Sequence, residues 1–151
     1  MVGLVHLARH PLALPIGLVM GVSLGFAASA ETAALPDEPP TEHKGLVVEK
    51  LGEIPAEEME AMVGLKDHYL QLRAITIEPG GQIARHSHAE RPGLVKVVGG
   101  AWIEGRESGE TEFGAASSQA VVEDREADHW FFNRGTEPAT AIVCDLNPVQ
   151  K

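Results

Sequence analysis

Cysteine is nearly absent from this chain of 151 residues, which contains only Cys144. A single cysteine rules out an internal disulfide, so the fold must be held together by its own apolar core. Cys144 lies within the apolar run 139–146, and two interpretations stay open, a small buried hydrophobic residue or a nucleophile. No histidine is adjacent in the sequence to activate the thiol, which favours the first interpretation.

Basic residues are also scarce. Lysine and arginine number 12 against 22 aspartate and glutamate residues, which gives a formal net charge of -10 at pH 7. So acidic a surface repels nucleic acids and anionic lipids, and both are therefore excluded as main partners. It also disfavours a polyanionic substrate unless a metal ion offsets the field locally.

The sequence shows no internal repeat and no glycine-rich loop of the kind that cradles phosphate before a helix. Gly80 and Gly81 end one strand-like run and open another with no helix after them, so we interpret the pair as a turn. A helical pattern is clear only at residues 56–62, behind Pro55. What remains is mostly short β-rich runs separated by turn residues.

Residues 1–30 have the layout of a secretory signal peptide. A short segment whose only charged side chain is Arg9 precedes the apolar run 11–27, and the small residues that follow suit cleavage after Ala30. An uncleaved membrane anchor is the alternative, but the run is slightly short for a bilayer and is interrupted by prolines. We therefore expect an exported protein, periplasmic or secreted, that meets a membrane only through an uncleaved leader.

The rest of the chain divides into a tether and one domain. Residues 31–44 are rich in proline and acidic residues and predict an extended tether, and residues 45–151 predict a single domain. Short strands with regular turn signals favour an all-β sandwich or barrel over a parallel α/β sheet. Gly99 and Gly100 suit a tight hairpin turn. The predicted strands are 46–51, 68–78, 82–88, 94–98, 101–104, 119–123, 128–133 and 139–146.

Two histidines one residue apart, His86 and His88, are the most informative feature of the chain. Side chains alternate along a strand, so both imidazoles point to the same side. A third histidine, His129, lies in another strand-like run, and three neutral imidazoles can converge on one metal ion if the two strands face each other. A lone His-x-His pair is more often two exposed histidines that bind no metal. Here the glycine turn before the pair and the downstream His129-x-x-x-Asn133 weaken that alternative.

The same residues resemble the two motifs of the cupins. Gly80, His86 and His88 match the front half of the first cupin motif, and His129 with Asn133 matches the back of the second. Membership of that family implies an all-β fold, a double-stranded β-helix or jelly-roll barrel, here with one short helix.

The resemblance covers residues 80–146 and extends more weakly back to about residue 46. It implies that the inner face of the barrel binds one divalent metal. By the same resemblance, His86, His88 and His129 are the metal ligands.

Two departures from the cupin pattern leave the fourth ligand open. The pattern expects a glutamate four or five residues after the second histidine, where this chain has proline and glycine at 92–93. It also expects a Pro-x-Gly turn before the last histidine, where this chain has charged residues at 124–126. The site can be completed by water, or by a carboxylate from Glu123 or Glu90. We favour Glu123, because the chain is expected to turn at Arg91, just beyond Glu90.

Three further residues are expected at the substrate pocket. If His129 points inward, strand alternation turns Phe131 and Asn133 inward as well. Arg91 lies at the turn and can reach the mouth of the pocket, where it can bind a substrate carboxylate. Simple filling of the core is the alternative for Phe131. The structural alternative for Arg91 is a salt bridge to Glu90, Glu104 or Glu123.

The expected function is that of an exported metal-binding cupin acting on a small organic molecule, with dioxygenase-like oxidoreductase chemistry as the leading class. Three imidazoles suit Fe, Mn, Zn, Ni or Cu and leave coordination positions open. Glu123 is the candidate proton carrier. The alternatives are a non-catalytic module that binds a small ligand or a metal, and a metal-free scaffold. The resemblance also allows a homodimer paired through edge strands.

Overall fold

A computed structural model describes residues 39–150 of the chain. The leader 1–30 and residues 31–38 of the tether lie outside the described residues, so the signal peptide, its cleavage after Ala30 and export stay predictions. The division into tether and domain also stays a prediction. Within residues 39–150, no helix combines the length and the apolar character that crossing a membrane requires.

The described chain folds into eight strands and one short helix. The helix lies where the sequence predicts it, with Pro55 at its N-cap and Gly64 ending it in the left-handed conformation at φ 75°. The elements are β1 (Lys44–Ile54), α1 (Ala56–Val63), β2 (His68–Ser87), β3 (Gly93–Gly99), β4 (Ala101–Arg106), β5 (Gly109–Gly114), β6 (Val121–Glu123), β7 (Asp128–Phe132) and β8 (Ala139–Pro148).

The strands form one antiparallel sheet in the order β5-β4-β7-β2-β8-β3-β6, and β1 also pairs with β2. The sheet curls into a nearly closed barrel, which confirms the predicted all-β jelly-roll with one short helix. Alternate residues along the strands face the barrel interior. In β8, for example, Ala139, Ala141 and Val143 are buried and the residues between them are only half-buried.

Apolar side chains from several strands fill the barrel interior. Ile77, Val97 and Phe131 are each at most 2% exposed, and Trp102 is 1% exposed. The indole Nε1 of Trp102 donates a hydrogen bond to the carbonyl oxygen of Ala139 at 2.9 Å, so its one polar group is satisfied inside the core. Each such side chain contributes about 1.5–3 kcal/mol when fully buried, which explains why the fold needs no disulfide.

The predicted turn at residues 79–81 is wrong, because β2 runs without interruption from His68 to Ser87. The glycines serve the packing of β1 across β2 instead. The pairing shifts register between Lys44 and Leu46, and Gly80 adopts a φ of 69° beside the shift. A Cβ at Gly81 would lie 2.8 Å from the carbonyl oxygen of Lys44, so only glycine allows this close approach.

The hairpin predicted at Gly99 and Gly100 is also wrong. β3 pairs with β8 and β6, whereas β4 pairs with β7 and β5, so the two glycines carry the chain from one part of the sheet to another. Gly100 has a φ of 65°, and a Cβ there would lie 2.9 Å from Cα of Ala139. The hairpin is formed by β4 and β5, and the polar sequence of β5 carries no alternating pattern that predicts a strand.

Cys144 is a free cysteine on β8 and is half-buried, not buried as predicted. Its cross-strand neighbours are Leu72 and Leu94, which are both partly exposed. The thiol therefore lies in an apolar row on the outer face of the barrel, away from the buried side chains of the same strand.

Candidate metal centre

Three imidazoles and one carboxylate meet inside the barrel. The ligand atoms of His86, His88, Glu123 and His129 all lie within 4.8 Å of one another. The imidazole ring centroids are 4.8–5.0 Å apart. Three of the four residues are buried and His86 is half-buried, so the cluster is closed on its inner side and more open at His86.

An irregularity in β2 turns His86 into the barrel. Ile83 pairs with Phe131 of β7 and His86 pairs with His129, so β2 advances by one residue more than β7 between the two pairs. This β-bulge reverses the sense of alternation along β2. Ile83 is part of the buried core and His86 belongs to the inner cluster, although a regular strand would place the two side chains on opposite faces.

His88 follows the last residue of β2 and keeps the inward direction. Its backbone N–H donates to the carbonyl oxygen of Ala127 at 2.9 Å, which continues the contact between the two chain segments for one residue beyond Ser87. The side chain of His88 is 2% exposed. The two histidines therefore lie on one side of the same segment, as their spacing predicts.

Backbone carbonyls orient the first two imidazoles. Nδ1 of His86 lies 2.8 Å from the carbonyl oxygen of Ala84, and Nδ1 of His88 lies 2.7 Å from that of Arg91. A carbonyl oxygen only accepts hydrogen bonds, so Nδ1 carries the proton and donates in both rings. The lone pair of each neutral imidazole is therefore on Nε2, where a metal can bind it.

A carboxylate orients the third imidazole. Nδ1 of His129 donates to Oε1 of Glu104 at 2.6 Å, and Nε of Arg106 donates to the same oxygen at 2.9 Å. Burial raises the pKa of Glu104, but the hydrogen bonds from His129 and Arg106 outweigh burial and leave that pKa below its usual value. Glu104 is thus ionised, and a carboxylate behind an imidazole fixes the ring and makes Nε2 a better ligand.

Several buried polar atoms of the cluster have no hydrogen-bond partner among the described residues. They are Nε2 of His88, Nε2 of His129 and Oε2 of Glu123. The other oxygen of Glu123 lies 3.4 Å from Nε2 of His88 and 3.6 Å from Nε2 of His129. An unsatisfied buried polar group costs about 1–3 kcal/mol. A cation can satisfy lone pairs on all of these atoms together, so the donor set fits a metal ion.

Burial also sets the protonation of the cluster. It lowers the pKa of His86 and of His88 to about 4, so both imidazoles are neutral at neutral pH. It raises the pKa of Glu123 to about 7, against the opposing effect of Arg91 and Arg73. The histidines are therefore already in the form that binds a metal, and a nearby cation would favour the ionised form of Glu123.

A glycine makes room for Glu123. Glu123 ends β6, and its cross-strand partner on β3 is Gly93. A Cβ at Gly93 would overlap Oε2 of Glu123 and would lie 3.1 Å from Cβ of Asp145. Position 93 is one of the two positions where the cupin pattern expects a glutamate. In this chain the carboxylate reaches the histidines from the paired position on the neighbouring strand.

Glu90, the other candidate carboxylate, lies in an exposed turn and outside the cluster. The backbone N–H of Arg91 donates to the carbonyl oxygen of His88 at 3.0 Å and closes this turn. The structure therefore brings Glu123, and not Glu90, to the three imidazoles.

A cavity of about 250 Å³ adjoins the cluster and is lined by Arg91 and Phe131, two of the three predicted pocket residues. The ring of Phe131 packs on Trp102 and His129, with centroid distances of 5.1 and 4.7 Å. Phe131 thus lines the cavity and fills the core at once. Arg91 pairs with Asp145, at 3.5 Å from Nη1 to Oδ2, and not with any of the glutamates considered from the sequence.

Asn133 is not among the residues that line this cavity, and its predicted pocket role stays a prediction. Its Nδ2 donates to the carbonyl oxygens of Ile77 and Glu137 at 2.8 Å each, and its Oδ1 accepts the N–H of Gly135 at 2.9 Å. The side chain is 2% exposed. A buried amide whose groups are all taken by the backbone holds a turn in place.

No sequence motif predicts three other residues at the site, His43, Arg73 and Glu104. Nδ1 of His43 accepts the N–H of Ala84 at 3.1 Å, and both His43 and Arg73 line the cavity. The one signal for Arg73 is its spacing from the buried Ile75, because residues two apart on a strand share a face.

Neither a family model nor a curated protein matches the sequence. Solved structures do match it. A sugar phosphate isomerase from a cupin superfamily of Silicibacter pomeroyi is 24% identical with a TM-score of 0.52, over 68% of this chain and 60% of that protein. A cupin domain of an XRE family transcriptional regulator from Enterobacter cloacae is 17% identical with a TM-score of 0.51, over 70% and 99% of the two chains. KdgF from Halomonas sp. is 15% identical with a TM-score of 0.51, over 72% and 89%.

These similarities establish the fold. The described chain has the cupin fold, as the resemblance of residues 80–146 implies. This chain spans 60% of the length of the Silicibacter pomeroyi protein.

Proposed function

We propose that this cupin-fold protein holds one divalent transition metal through His86, His88, His129 and Glu123. One observation supports the site above all others. Nε2 of two histidines and an oxygen of Glu123 are buried without a partner in the described chain, within a cluster whose ligand atoms lie within 4.8 Å of one another. Three imidazoles and one carboxylate suit Fe, Mn, Zn, Ni or Cu.

We further propose that the protein is a metal-dependent oxidoreductase of the dioxygenase type that acts on a small organic molecule. A bound transition metal would supply Lewis acidity and, where it is redox-active, one-electron chemistry with dioxygen. The cavity of about 250 Å³ beside the histidines has room for a small substrate. Its inner wall includes Trp102 and Phe131, which are each 1% exposed and keep bulk water away from that side.

Glu123 is the residue best suited to move a proton. It lines the cavity, and burial raises its pKa to about 7. A carboxyl group with such a pKa can exchange a proton at neutral pH, which is what a general acid or base requires.

A non-catalytic module that binds a metal or a small ligand is the second candidate. Glu123 is the only carboxylate that lines the cavity in the described part of the chain. If Glu123 is fully engaged as a ligand, no second carboxylate is left beside the cavity to move a proton. This observation favours binding without turnover.

We also propose that the protein is exported by the leader 1–30 and meets a small-molecule ligand outside the cytoplasm. N-terminal sequencing of the protein recovered from the periplasm or medium of a producing cell tests this. Chains that begin at Glu31 support export with cleavage after Ala30. Chains that keep Met1 in the membrane fraction support the anchor instead.

Metal analysis of the protein purified without added ions is the direct test of the proposed site. About one ion per chain, lost in His86→Ala, is expected, because removing one imidazole leaves an incomplete donor set. A chain that carries no metal and melts at the same temperature with and without a chelator would contradict the proposal and favour the metal-free scaffold.

Dioxygen uptake then separates the enzyme from the binding module. The loaded protein is assayed against catechols, flavonols, thiols and diketones, with Glu123→Gln as the informative variant and Glu126→Gln, in an exposed turn, as its matched control. A proton carrier loses activity with little loss of metal, and a ligand loses both. No uptake with any substrate class by the fully loaded protein would contradict the enzyme and leave the binding module.

A further inference from the structure

Two arginines that line the cavity, Arg73 and Arg91, share one buried carboxylate. Nη2 of Arg73 lies 2.7 Å from Oδ2 of Asp145, and Nη1 of Arg91 lies 3.5 Å from the same oxygen. The side chain of Asp145 is 0% exposed, and its other oxygen accepts Nδ2 of Asn147 at 3.2 Å. One paired carboxylate therefore serves two guanidinium groups, and both oxygens of Asp145 are already in use. Glu123 lines the same cavity but forms no ion pair with either arginine in the described chain.

Both guanidinium groups keep N–H donors that no described protein group accepts. Within the described residues, the side chain of Arg73 donates only to Asp145, and its Nε is buried without an acceptor. The side chain of Arg91 makes only the long contact of 3.5 Å to the same carboxylate. A guanidinium group offers several N–H donors in a planar fork, so each arginine can bind a further acceptor.

The rest of the cavity limits what that acceptor can belong to. Arg73 and Arg91 line the same cavity as His86 and His88. Its volume of about 250 Å³ lies below the roughly 300–1,000 Å³ of pockets that hold drug-sized ligands, so the ligand is small. The remaining wall is largely apolar, with Leu46, Val48, Ile75, Ile83, Val95 and Val143.

We propose that the cavity binds a small organic acid whose carboxylate is held by Arg73 and Arg91 and whose apolar body faces the histidine cluster. A planar carboxylate matches the guanidinium fork, and the apolar wall matches a short carbon chain. Inorganic phosphate shares the anionic chemistry but has no apolar part to use that wall. Because this assignment names the substrate class of the metal-bearing cavity, it depends on the proposed function for its catalytic meaning but not for the binding itself.

The test is calorimetric titration at constant ionic strength with three pairs of probes. Acetate, isobutyrate and pyruvate are each compared with the corresponding amide, and inorganic phosphate is the fourth anion. Both the metal-free and the metal-loaded protein are titrated. In the metal-free protein, at least one acid is expected to bind about tenfold more tightly than its amide, because only the acid makes charge-assisted hydrogen bonds.

Two variants assign that preference to the arginines. Arg91→Gln removes the charge of the more exposed arginine, and Arg73→Lys keeps a cation beside the buried Asp145 but removes the spare donors of the fork. In both variants, the affinity for the acid should fall close to the affinity for the corresponding amide. Arg134→Gln is the matched control, because Arg134 is 26% exposed against 30% for Arg91 and is also paired with a carboxylate, that of Glu110, but it does not line the cavity.

Each result decides the assignment. A preference for the acid that is lost in Arg91→Gln and in Arg73→Lys but kept in Arg134→Gln supports it, even if metal analysis finds no ion. The assignment is overturned if acids and amides bind equally, or if a preference appears only with metal and persists in both variants. Phosphate binding more tightly than every acid, or no binding by any acid in either state, overturns it as well. None of these outcomes changes the result of the metal analysis, so the proposed acid-binding cavity and the proposed metal site can be refuted independently.

Discussion

The inner and outer faces of β2 and β7 differ in how their polar side chains are satisfied. On the outer face, Arg85 donates from Nε and Nη2 to the two oxygens of Asp128 at 2.9 Å each, and from Nη1 to Glu107 at 2.6 Å. On the inner face, one residue further along each strand, lie His86 and His129. His129 is fully buried, and its Nε2 has no partner in the described chain.

This difference shows where the fold has kept an unfavourable arrangement. The outer pairs are complete and exposed to solvent, and such pairs contribute little because water and salt screen them. The inner atoms are incomplete and buried, which costs about 1–3 kcal/mol for each unsatisfied group. Binding sites are where folds retain such costs, because a ligand offsets them. Paired substitutions on the two faces test whether that is the case here.

The largest effect is expected from His129→Ala, which removes the most deeply buried imidazole of the cluster. Metal content should fall from about one ion per chain to about none, because the remaining donors are too few to hold an ion in competition with water. Elemental analysis measures this, and circular dichroism reports whether the barrel is retained. A folded variant that still binds one ion per chain would show that the inner face is not the metal site.

The next effect concerns the metal-free protein and the pH dependence of its stability. Glu123 has a folded-state pKa of about 7, raised by burial above the ordinary value of 4.5. Between these values the folded chain keeps a proton that the unfolded chain releases, so the contribution of Glu123 to stability is lost as pH rises. His86 and His88 have a folded-state pKa of about 4, below the ordinary 6.5, so their contribution is lost as pH falls through that window.

Glu123→Gln isolates the first contribution from the second. The stability of the wild-type chain relative to this variant should fall by about 3 kcal/mol as an upper limit between pH 4.5 and 7, from about 1.4 kcal/mol per pKa unit. Urea unfolding of both proteins in the presence of a chelator measures the difference. Parallel pH profiles would mean that Glu123 is not protonated inside the metal-free barrel. Added metal should reduce the fall, because a cation stabilises the carboxylate.

A smaller effect is expected from Gly93→Ala, since its Cβ would overlap Oε2 of Glu123 and push the carboxylate away from the histidines. Loss of one well-placed ligand or of its support weakens metal binding about 10- to 100-fold. Gly99→Ala is the control on the same strand, because a Cβ at Gly99 meets nothing within 4 Å. Metal affinities measured by competition with a chromophoric chelator should separate the two variants. Equal affinities would argue against a role for the carboxylate.

The class of the fold and the shared face of two histidines could be predicted from local pattern. Alternation, turn residues and the His86–His88 spacing depend only on neighbours along the chain, and they predict an all-β fold with these two imidazoles on one face. The jelly-roll barrel and the convergence of His129 with the pair are implied by the resemblance to the cupins. The bulge between Ile83 and His86 could not be predicted, because it depends on how β7 pairs with β2. In a regular strand with His86 facing inward, the side chain of Ile83 would face outward.

Other parts of the site depend on contacts between strands and leave no local signal. The fit of Glu123 beside Gly93 joins β6 to β3, and the contact of Glu104 with His129 joins β4 to β7. Asn133 is buried, as alternation predicts, but the hydrogen bonds that hold its amide join it to backbone groups of distant Ile77 and of the following turn. Local periodicity therefore identifies which residues face inward within a strand, and fails where a strand bulges.

The smallest effect is expected from Arg85→Gln, the outer counterpart of His129→Ala. Arg85 lowers the pKa of Asp128 by hydrogen bonding, so the substitution should return that carboxyl towards its ordinary value. Because this cluster is exposed, metal affinity should stay within about twofold of the wild-type value, and the effect on stability should shrink further in high salt. Chelator competition and thermal melts at two salt concentrations measure both quantities. Asp128 precedes His129 directly, so a large loss of metal in Arg85→Gln would mean that the outer pairs hold the inner imidazoles in place, and that the two faces of these strands act as one unit.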